Sequence, residues 1–240
     1  MSDKILVVQG ASYYRAIDGL GDFTSKVSEF MKNPGDFKLI MFTGGADVDP
    51  KFYGDASPKN ICFTNPERDM YEMAIYKTAI RHGILMTGIC RGVQFLNVMA
   101  GGKMMHHVTG HESSIHDMET HYGRIIPVNS LHHQMVLPPQ DAIILGWAKD
   151  NLSTMYLGEN DEEVYWLGHE YEAVIFPKTK AFGVQYHPEM MDASTEGYNY
   201  YYQMVERALK MDWDNFIKLY SERSGDGEHS SLHESNTGAA

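Results

Sequence analysis

An α/β fold with a mostly parallel sheet and helices on both faces is predicted by the alternation of short apolar runs with helical patterns. The first strands are predicted at residues 4–8, 39–42 and 84–86, and each run is too short to be a helix. Helical segments separate these runs, an order typical of βαβ units with parallel strands. Because ligands of such sheets bind at the carboxyl ends of the strands, the residues that follow the runs are the first candidates for a site.

Helices are predicted where apolar spacing coincides with residues that begin or end helices. Pro66 suits a first helical position, Gly83 and Gly101 suit helix ends, and Asn33-Pro34-Gly35 stops the preceding pattern. The predicted segments are residues 22–33, 66–82, 93–100 and 195–220, the last as one or two helices. The second of these has an apolar stripe formed by Met70, Met73, Ala74, Tyr76 and Ile80.

The second half of the chain has a less regular pattern. Residues 103–124 are rich in histidine and polar side chains, which predicts a loop. Further strands are predicted near residues 125–129, 142–148, 163–167, 172–176 and 181–186. No linker divides the chain, so residues 1–221 are expected to form one catalytic domain. Residues 222–240 lack apolar periodicity and are expected to form a disordered tail.

The composition excludes several classes of partner. The chain has 240 residues and a formal net charge of −12, which disfavours binding to nucleic acid phosphates or to anionic membranes. No segment has the roughly 18 apolar residues of a membrane span, and the first apolar run is too short for a signal peptide core. The two cysteines, Cys62 and Cys90, do not suggest a disulfide scaffold. We therefore expect a cytoplasmic protein.

Cys90 is the strongest candidate for a reactive group. It lies between the predicted strand at residues 84–86 and the predicted helix at residues 93–100. A cysteine at a helix N-terminus is favoured as a thiolate, because the helix dipole and the free N–H groups stabilise negative charge. The position therefore predicts a nucleophile, although a free cysteine can also be a simple core residue.

The groups that such a nucleophile needs follow two other predicted strands. His187 follows the strand at residues 181–186 as a candidate base, and Glu189 can orient its imidazole. Gly45, after the second strand, and Arg91, after the nucleophile, offer backbone N–H groups for an oxyanion hole. Together these residues predict acyl transfer through a thioester, followed by hydrolysis.

These residues belong to motifs that resemble those of class I glutamine amidotransferases. Gly88-Ile89-Cys90-Arg91-Gly92-Val93-Gln94 resembles their nucleophile elbow. Gly183-Val184-Gln185-Tyr186-His187-Pro188-Glu189 resembles their histidine and glutamate motif, and Thr43-Gly44-Gly45-Ala46-Asp47-Val48-Asp49-Pro50 resembles their oxyanion loop. The resemblance covers about residues 4–210 and implies a three-layer, flavodoxin-like open sheet.

Further motifs resemble one branch, the γ-glutamyl-γ-aminobutyrate hydrolases of peptidase family C26. These motifs are Arg91-Gly92, Arg68-Asp69 with Glu72, and Asn129-Ser130-Leu131-His132-His133-Gln134. The resemblance implies that Cys90 attacks the γ-carbonyl of a glutamyl amide, with His187 as base, Glu189 as orienting group, and Gly45 and Arg91 as oxyanion donors. It also implies that the glutamyl group is bound near Gln94, Asn129, Ser130, Leu131, His132 and His133.

The resemblance leaves the activity open at several points. The segments 9–21 and 102–129 are short for the family, so the leaving amine is undefined. A glutaminase subunit that delivers ammonia to a synthetase or ligase would use the same triad, because glutamine is itself a γ-glutamyl amide. A catalytically silent binding protein is a third alternative, which the intact Cys90, His187 and Glu189 disfavour. A homodimer is compatible with a single compact domain.

The remaining candidates have simpler interpretations. His106, His107, His111, His116 and His121 fit no compact zinc pattern and have no cysteine nearby in sequence, so no metal and no cofactor are expected. Cys62 lies in a loop-like stretch without a motif and is expected to be structural or incidental. Arg68 and Asp69 can be an ordinary pair in the first turn of a helix.

Overall fold

A nine-stranded mixed sheet forms the centre of the molecule. The computed structural model describes residues 3–56 and 60–221. The predicted tail at residues 222–240 lies outside this range. The strands are β1 (Lys4–Val8), β2 (Asp22–Thr24), β3 (Phe37–Phe42), β4 (Leu85–Ile89), β5 (Lys103–Met105), β6 (His107–Val108), β7 (Ser114–Thr120), β8 (Ile125–Ser130), β9 (Met135–Leu137), β10 (Ile143–Ala148), β11 (Tyr156–Leu157), β12 (Tyr171–Phe176) and β13 (Ala181–Val184). Within the described residues, β5 pairs with β9 and β6 pairs with β11 in two small separate sheets, and the other strands form the large sheet.

The strand order of this sheet is β2-β1-β3-β4-β13-β12-β10-β7-β8. The first five strands in that order run parallel, and the remaining pairs are antiparallel. The adjacent parallel strands β3, β4 and β13 therefore end at the same edge of the sheet. That edge carries the three predicted catalytic segments.

Helices cover both faces of the sheet, as predicted. The helices are α1 (Val27–Lys32), α2 (Pro66–His82), α3 (Arg91–Met99), α4 (Glu196–Lys210) and α5 (Trp213–Ser221). Ile5 and Val7 of β1 belong to the core under α4 and α5, whereas Leu6 and Val8 belong to the core under α1, α2 and α3. This alternation of side chains along a strand explains why every residue of β1 after Lys4 is apolar. Among the described residues, no helix is long and apolar enough to cross a membrane.

The first predicted helix was only partly correct. Residues 22–24 form the edge strand β2, which pairs in parallel with Lys4 to Leu6, and α1 begins at Val27. The sequence pattern of residues 22–33 did not reveal the strand, because three residues are too few to show the alternation of side chains that identifies a strand.

The apolar stripe predicted for α2 was only partly correct, since Tyr76 is buried and Met73 packs against the core, but other members are exposed. Met70 is 60% exposed and Ile80 is 42% exposed. The buried face carries Ile75 and Ala79, and it continues into the buried charged residues Arg68, Asp69 and Glu72. The spacing of apolar residues does not identify this buried face of α2, because its first turns carry charged side chains that are buried in ion pairs.

The predicted loop at residues 103–124 contains the strands β5, β6 and β7. In β7 the inward positions are His116, Met118 and Thr120, while Ile115 is 80% exposed. The period of two is present, but polar residues occupy two of the three inward positions. The strand predicted near residues 163–167 was wrong, because that segment forms only an isolated bridge between Leu157 and Glu163.

Candidate active site

Cys90 lies at a sharp strand-to-helix turn between β4 and α3. Its backbone has φ 53° and ψ −117°, a conformation that a non-glycine residue adopts at a cost. Its N–H donates to the carbonyl of Val184 at 2.8 Å. The turn packs closely against β3, since a Cβ on Gly92 would lie 2.1 Å from the carbonyl oxygen of Phe42. This strained turn presents the sulfur at the carboxyl edge of the sheet, next to the first N–H groups of α3.

His187 and Glu189 form a buried pair just beyond β13. Nδ1 of His187 lies 2.7 Å from Oε1 of Glu189, which leaves Nε2 for another partner. Burial lowers the pKa of His187, but its interactions with Cys90 and Glu189 outweigh burial and raise that pKa to about 10. The raised pKa favours a protonated imidazole at His187.

Asn129, at the end of β8, holds the backbone of His187 from both sides. Its Oδ1 accepts from the N–H of His187 at 2.8 Å, and its Nδ2 donates to the carbonyl of His187 at 3.0 Å. Asn129 therefore lies behind the imidazole and does not line the cavity described below. The sequence analysis predicted Asn129 as a substrate-binding residue, because the motif does not show in which direction its side chain points.

The side chain of Arg68 fixes the loop that follows β3 through hydrogen bonds to its backbone. The guanidinium donates to the carbonyls of Gly44 at 2.9 Å and Thr43 at 2.8 Å. Gly45 has φ +135°, and a Cβ at this position would lie 2.2 Å from Nη1 of Arg68. Only glycine fits both the backbone conformation and the guanidinium below it.

A buried ion network connects this loop to the turn that contains Cys90. Arg91 pairs with Asp69 and Glu72, and its Nε donates to the carbonyl of Ala46 at 3.0 Å. Arg68 pairs with the same Glu72 at 2.8 Å. Burial, together with the like charge of Arg68, lowers the pKa of Arg91 to about 10. The sequence interpretation of Arg68 and Asp69 as an ordinary first-turn pair missed this network.

A cavity of about 210 Å³ opens beside Cys90. Its lining residues are Gly45, Ala46, Asp47, Phe63, Cys90, Arg91, Gln94, Leu131, His132, His133 and Gln134. It therefore brings together both predicted oxyanion donors and four of the six predicted substrate-binding residues. The other two, Asn129 and Ser130, are not among the lining residues.

His133 contributes a polarised wall to this cavity. Its Nε2 lies 3.2 Å from Oδ1 of Asp47, and its Nδ1 lies 3.4 Å from Nδ1 of His107. The hydrogen bond to Asp47 raises the pKa of His133. Positive charge is thereby favoured opposite the exposed ring of Phe63.

Tyr13 is a site residue that the sequence did not reveal. It lies in the 3₁₀ helix Ala11–Ile17, and its ring centroid is 6.2 Å from that of His187. A Cβ on Gly44 would lie 2.5 Å from its hydroxyl oxygen, so the phenol reaches the oxyanion loop. Burial, with the nearby Glu189 and Cys90, raises the pKa of Tyr13 to about 12. The one signal in the sequence was its position in the segment that follows the first strand, which ends at Val8.

A second polar cluster lies behind the cavity wall, around the buried carboxylate of Glu172. His116 Nε2 lies 3.1 Å from Glu172 Oε1, and both His111 Nδ1 and His132 Nε2 lie 3.7 Å from it. His111 also contacts the buried Glu170 through Nε2 at 2.9 Å. The donor atoms of His111, His132 and Glu172 all lie within 4.8 Å of one another, a spacing that can hold a metal ion.

Comparisons with known proteins agree with the motifs and the fold. Residues 35–123 match the Peptidase C26 family model. The glutamine amidotransferase-like protein YvdE of Lactococcus lactis is 32% identical over 117 residues, which are 40% of this chain and 50% of YvdE. The matched region thus spans about half the length of this relative. The predicted resemblance to class I glutamine amidotransferases and to the C26 branch is confirmed.

Solved structures show the same fold. A glutamine amidotransferase from Thermotoga maritima superposes with a TM-score of 0.54 at 15% identity, over 93% of this chain and 92% of that one. A GMP synthase component from Thermoplasma acidophilum gives the same TM-score and identity, over 92% of this chain and 97% of that one. The predicted class I glutamine amidotransferase-like fold is therefore confirmed.

Proposed function

We propose that this protein is a cysteine-dependent hydrolase that cleaves a γ-glutamyl amide through a thioester on Cys90. The observation that carries the proposal is that Cys90, at a strained turn, lines a cavity and interacts with His187 of the buried His187–Glu189 pair. The match to Peptidase C26 supports an amide hydrolase of this type. Cys62 and Cys90 are both present as thiols rather than as a disulfide, which suits a reducing, cytoplasmic environment.

The first half of the reaction forms the thioester. The Cys90 thiolate attacks the γ-carbonyl carbon, and the carbonyl oxygen takes the negative charge. The N–H groups of Gly45 and Arg91, which both line the cavity, would stabilise that oxyanion. The C–N bond then breaks as the His187 imidazolium gives its Nε2 proton to the departing amine.

The second half releases the acid. His187, now neutral, takes a proton from a water molecule that attacks the thioester carbon. Collapse of the second oxyanion breaks the C–S bond, so the products are free glutamate and the Cys90 thiolate. Glu189 would keep Nδ1 of His187 protonated throughout, because the two atoms are 2.7 Å apart.

The glutamyl group would lie against Gln94, Leu131, His132 and His133, which all face the cavity. Asn129 and Ser130 would act from behind this wall. Asn129 holds the backbone of His187, and Ser130 lies 2.9 Å from Nδ1 of His111. The polarised pair of His133 and Asp47 would contact the polar end of the substrate.

A glutaminase subunit is the second candidate function. One structural neighbour is named as a GMP synthase subunit. In this second form of the proposal, a separate synthetase or ligase is the partner of this chain. The chemistry at Cys90 would be the same, but the leaving group would be ammonia.

Acyl-enzyme analysis tests the main proposal. Wild type, Cys90→Ala and the matched control Cys62→Ala should be assayed with glutamine and a panel of γ-glutamyl amines. Acid-quenched samples should be digested and examined by mass spectrometry. We expect a γ-glutamyl adduct on the Cys90 peptide, turnover in wild type and Cys62→Ala, and none in Cys90→Ala.

Two other outcomes decide between the candidates. Equal turnover in wild type and Cys90→Ala would refute the hydrolase proposal in either form. Acylation by glutamine alone, with turnover that rises when a synthetase or ligase is added, would favour the glutaminase role.

A further inference from the structure

We propose that the buried cluster of His111, His132 and Glu172, with His116 beside it, is a binding site for a divalent transition metal ion, best suited to zinc. We call these four residues the histidine–glutamate cluster. They come from different parts of the chain: the segment before β7, β7 itself, the segment after β8, and β12. This explains why no compact zinc pattern is visible in the sequence.

The distances between donor atoms suit such an ion. Zinc binds imidazole nitrogen and carboxylate oxygen at about 2.0–2.2 Å, so neighbouring donors in a tetrahedral site lie about 3.3–3.6 Å apart. Around Glu172 Oε1 the observed separations are 3.1 Å to His116, 3.7 Å to His111 and 3.7 Å to His132. Two imidazoles and one carboxylate form a donor set that zinc proteins use.

Several polar atoms of the cluster lack a hydrogen bond within the described part of the chain. These are both carboxylate oxygens of Glu172, Nε2 of His132 and both ring nitrogens of His116. All three side chains are buried, and that of Glu172 has no exposed surface. Burying a carboxylate without full hydrogen bonding is costly, so a positive charge among these atoms is favoured.

Outer hydrogen bonds turn two imidazoles toward the centre of the cluster. His111 Nε2 contacts Glu170 Oε2 at 2.9 Å, and His132 Nδ1 contacts the carbonyl of Gln134 at 2.9 Å. The other nitrogen of each ring lies 3.7 Å from Oε1 of Glu172. Ligating histidines in metal sites are nearly always held by a carboxylate or carbonyl in this manner.

Glu170 is itself fixed by three further donors. It accepts from the backbone N–H of Leu152 at 2.7 Å and of Ser153 at 2.8 Å, and from the hydroxyl of Tyr156 at 2.7 Å. A carboxylate with this many donors is a rigid support for the His111 ring. The Ser130 hydroxyl, 2.9 Å from His111 Nδ1, must rotate away for that nitrogen to bind a metal ion.

The competing explanation is a proton in place of a metal ion. A hydrogen bond from Nε2 of His116, which lies 3.1 Å from Oε1 of Glu172, could then satisfy this carboxylate without a metal ion. In that arrangement the hydrogen bond from His116 would satisfy the Glu172 carboxylate, and the positions of His111 and His132 beside it would have no explanation. The two explanations predict different metal contents, so experiment separates them.

A bound ion would also stabilise a wall of the cavity. His132 belongs to both the cluster and the cavity lining, next to Leu131 and His133. An ion on the far side of His132 would restrict the movement of this segment. It would also have an entry route, since the cavity reaches the ring of His132.

The test is metal content and metal binding of the untagged protein produced with added zinc. All measurements use the Cys90→Ala background, which removes the competing sulfur ligand at the cavity. We expect one zinc per chain by elemental analysis and X-ray absorption with nitrogen and oxygen ligands only. Titration should show binding weakened more than about 100-fold in His111→Ala and Glu172→Gln, because loss of an outer partner alone costs about 10–100-fold.

Matched variants locate the ion. Glu170→Gln should weaken binding by about 10–100-fold, and the exposed His82→Ala should leave it unchanged. Absence of zinc binding by the parent, or equal affinity in parent, His111→Ala and Glu172→Gln, overturns the proposal. If those variants fail to fold, the parent spectrum decides: sulfur ligation or fewer than two imidazoles overturns it, and two or more imidazoles with oxygen support it.

Discussion

Asn129 binds both backbone groups of His187, accepting from its N–H at 2.8 Å and donating to its carbonyl at 3.0 Å. The strand β8 thereby fixes His187 from the antiparallel half of the sheet, while Cys90 follows β4 in the parallel half. The geometry of the proposed catalytic pair thus depends on a side chain that lies outside the cavity.

Replacing Asn129 should therefore reduce turnover without removing a group that contacts substrate. Asn129→Ala leaves the backbone of a buried residue unpaired, at a cost of about 1–3 kcal/mol in the free energy of unfolding. We expect kcat to fall more than KM rises. Asn129→Asp keeps the acceptor for the N–H and should restore part of the rate, whereas the exposed Asn151→Ala should behave as wild type. A pure KM effect in Asn129→Ala would contradict this role.

His187 should titrate with a pKa of about 10 in the folded protein, since Cys90 and Glu189 together outweigh burial. NMR titration of the ring should show a lower pKa in both Cys90→Ala and Glu189→Gln. The folded-state pKa lies above the ordinary value of 6.5. The interaction therefore stabilises the fold fully below pH 6.5, and this stabilisation is lost as the pH rises through about 10. An unchanged His187 pKa in Cys90→Ala would show that the two side chains are not coupled.

Gly45→Ala should abolish most of the activity. The new Cβ would lie 2.2 Å from Nη1 of Arg68, and the φ of +135° is strained for any side chain. Displacement of this loop removes an oxyanion donor, which costs about 10²–10³-fold in kcat. The matched control is Gly35→Ala, where a Cβ meets no atom within 4 Å and the rate should be unchanged. Steady-state kinetics on both variants gives the comparison.

Arg91→Met should destabilise the fold strongly. It leaves the buried carboxylates of Asp69 and Glu72 without this guanidinium, and breaking a buried ion pair from one side costs about 3–5 kcal/mol. Lys210→Met breaks the exposed pair with Glu206 and should cost no more than about 1 kcal/mol. Urea denaturation measures both. Similar costs in the two variants would mean that the network contributes little to stability.

The sequence predicted the fold where side-chain patterns were simple. The apolar runs located β1, β3, β4 and β13, and the ends of α2 were correct, with Pro66 as its first residue and Gly83 as its C-cap. It failed at β7, where buried His116 and Thr120 replaced apolar residues, because their burial depends on partners from distant segments.

The same limit applied to the site. Cys90, His187 and Gly45 were visible because the chemistry or the backbone allows few residue types at those positions. Tyr13 and the partners of Arg91 were missed, since nothing near them in sequence shows what they contact. Contacts between residues far apart in the chain become visible only in the folded structure.

Tyr13→Phe gives the most direct test of a site residue that only the structure reveals. The hydroxyl lies beside Gly44 in the oxyanion loop, and the pKa of about 12 keeps it protonated at neutral pH, so it can donate a hydrogen bond. Removing one such bond costs about 0.5–1.5 kcal/mol, so kcat/KM should fall by up to about tenfold while the ring still packs near His187. Tyr14→Phe is the matched control, because Tyr14 stacks on Phe23 at 3.9 Å, away from the site, and should keep full activity. Equal rates in both variants would assign Tyr13 a packing role alone.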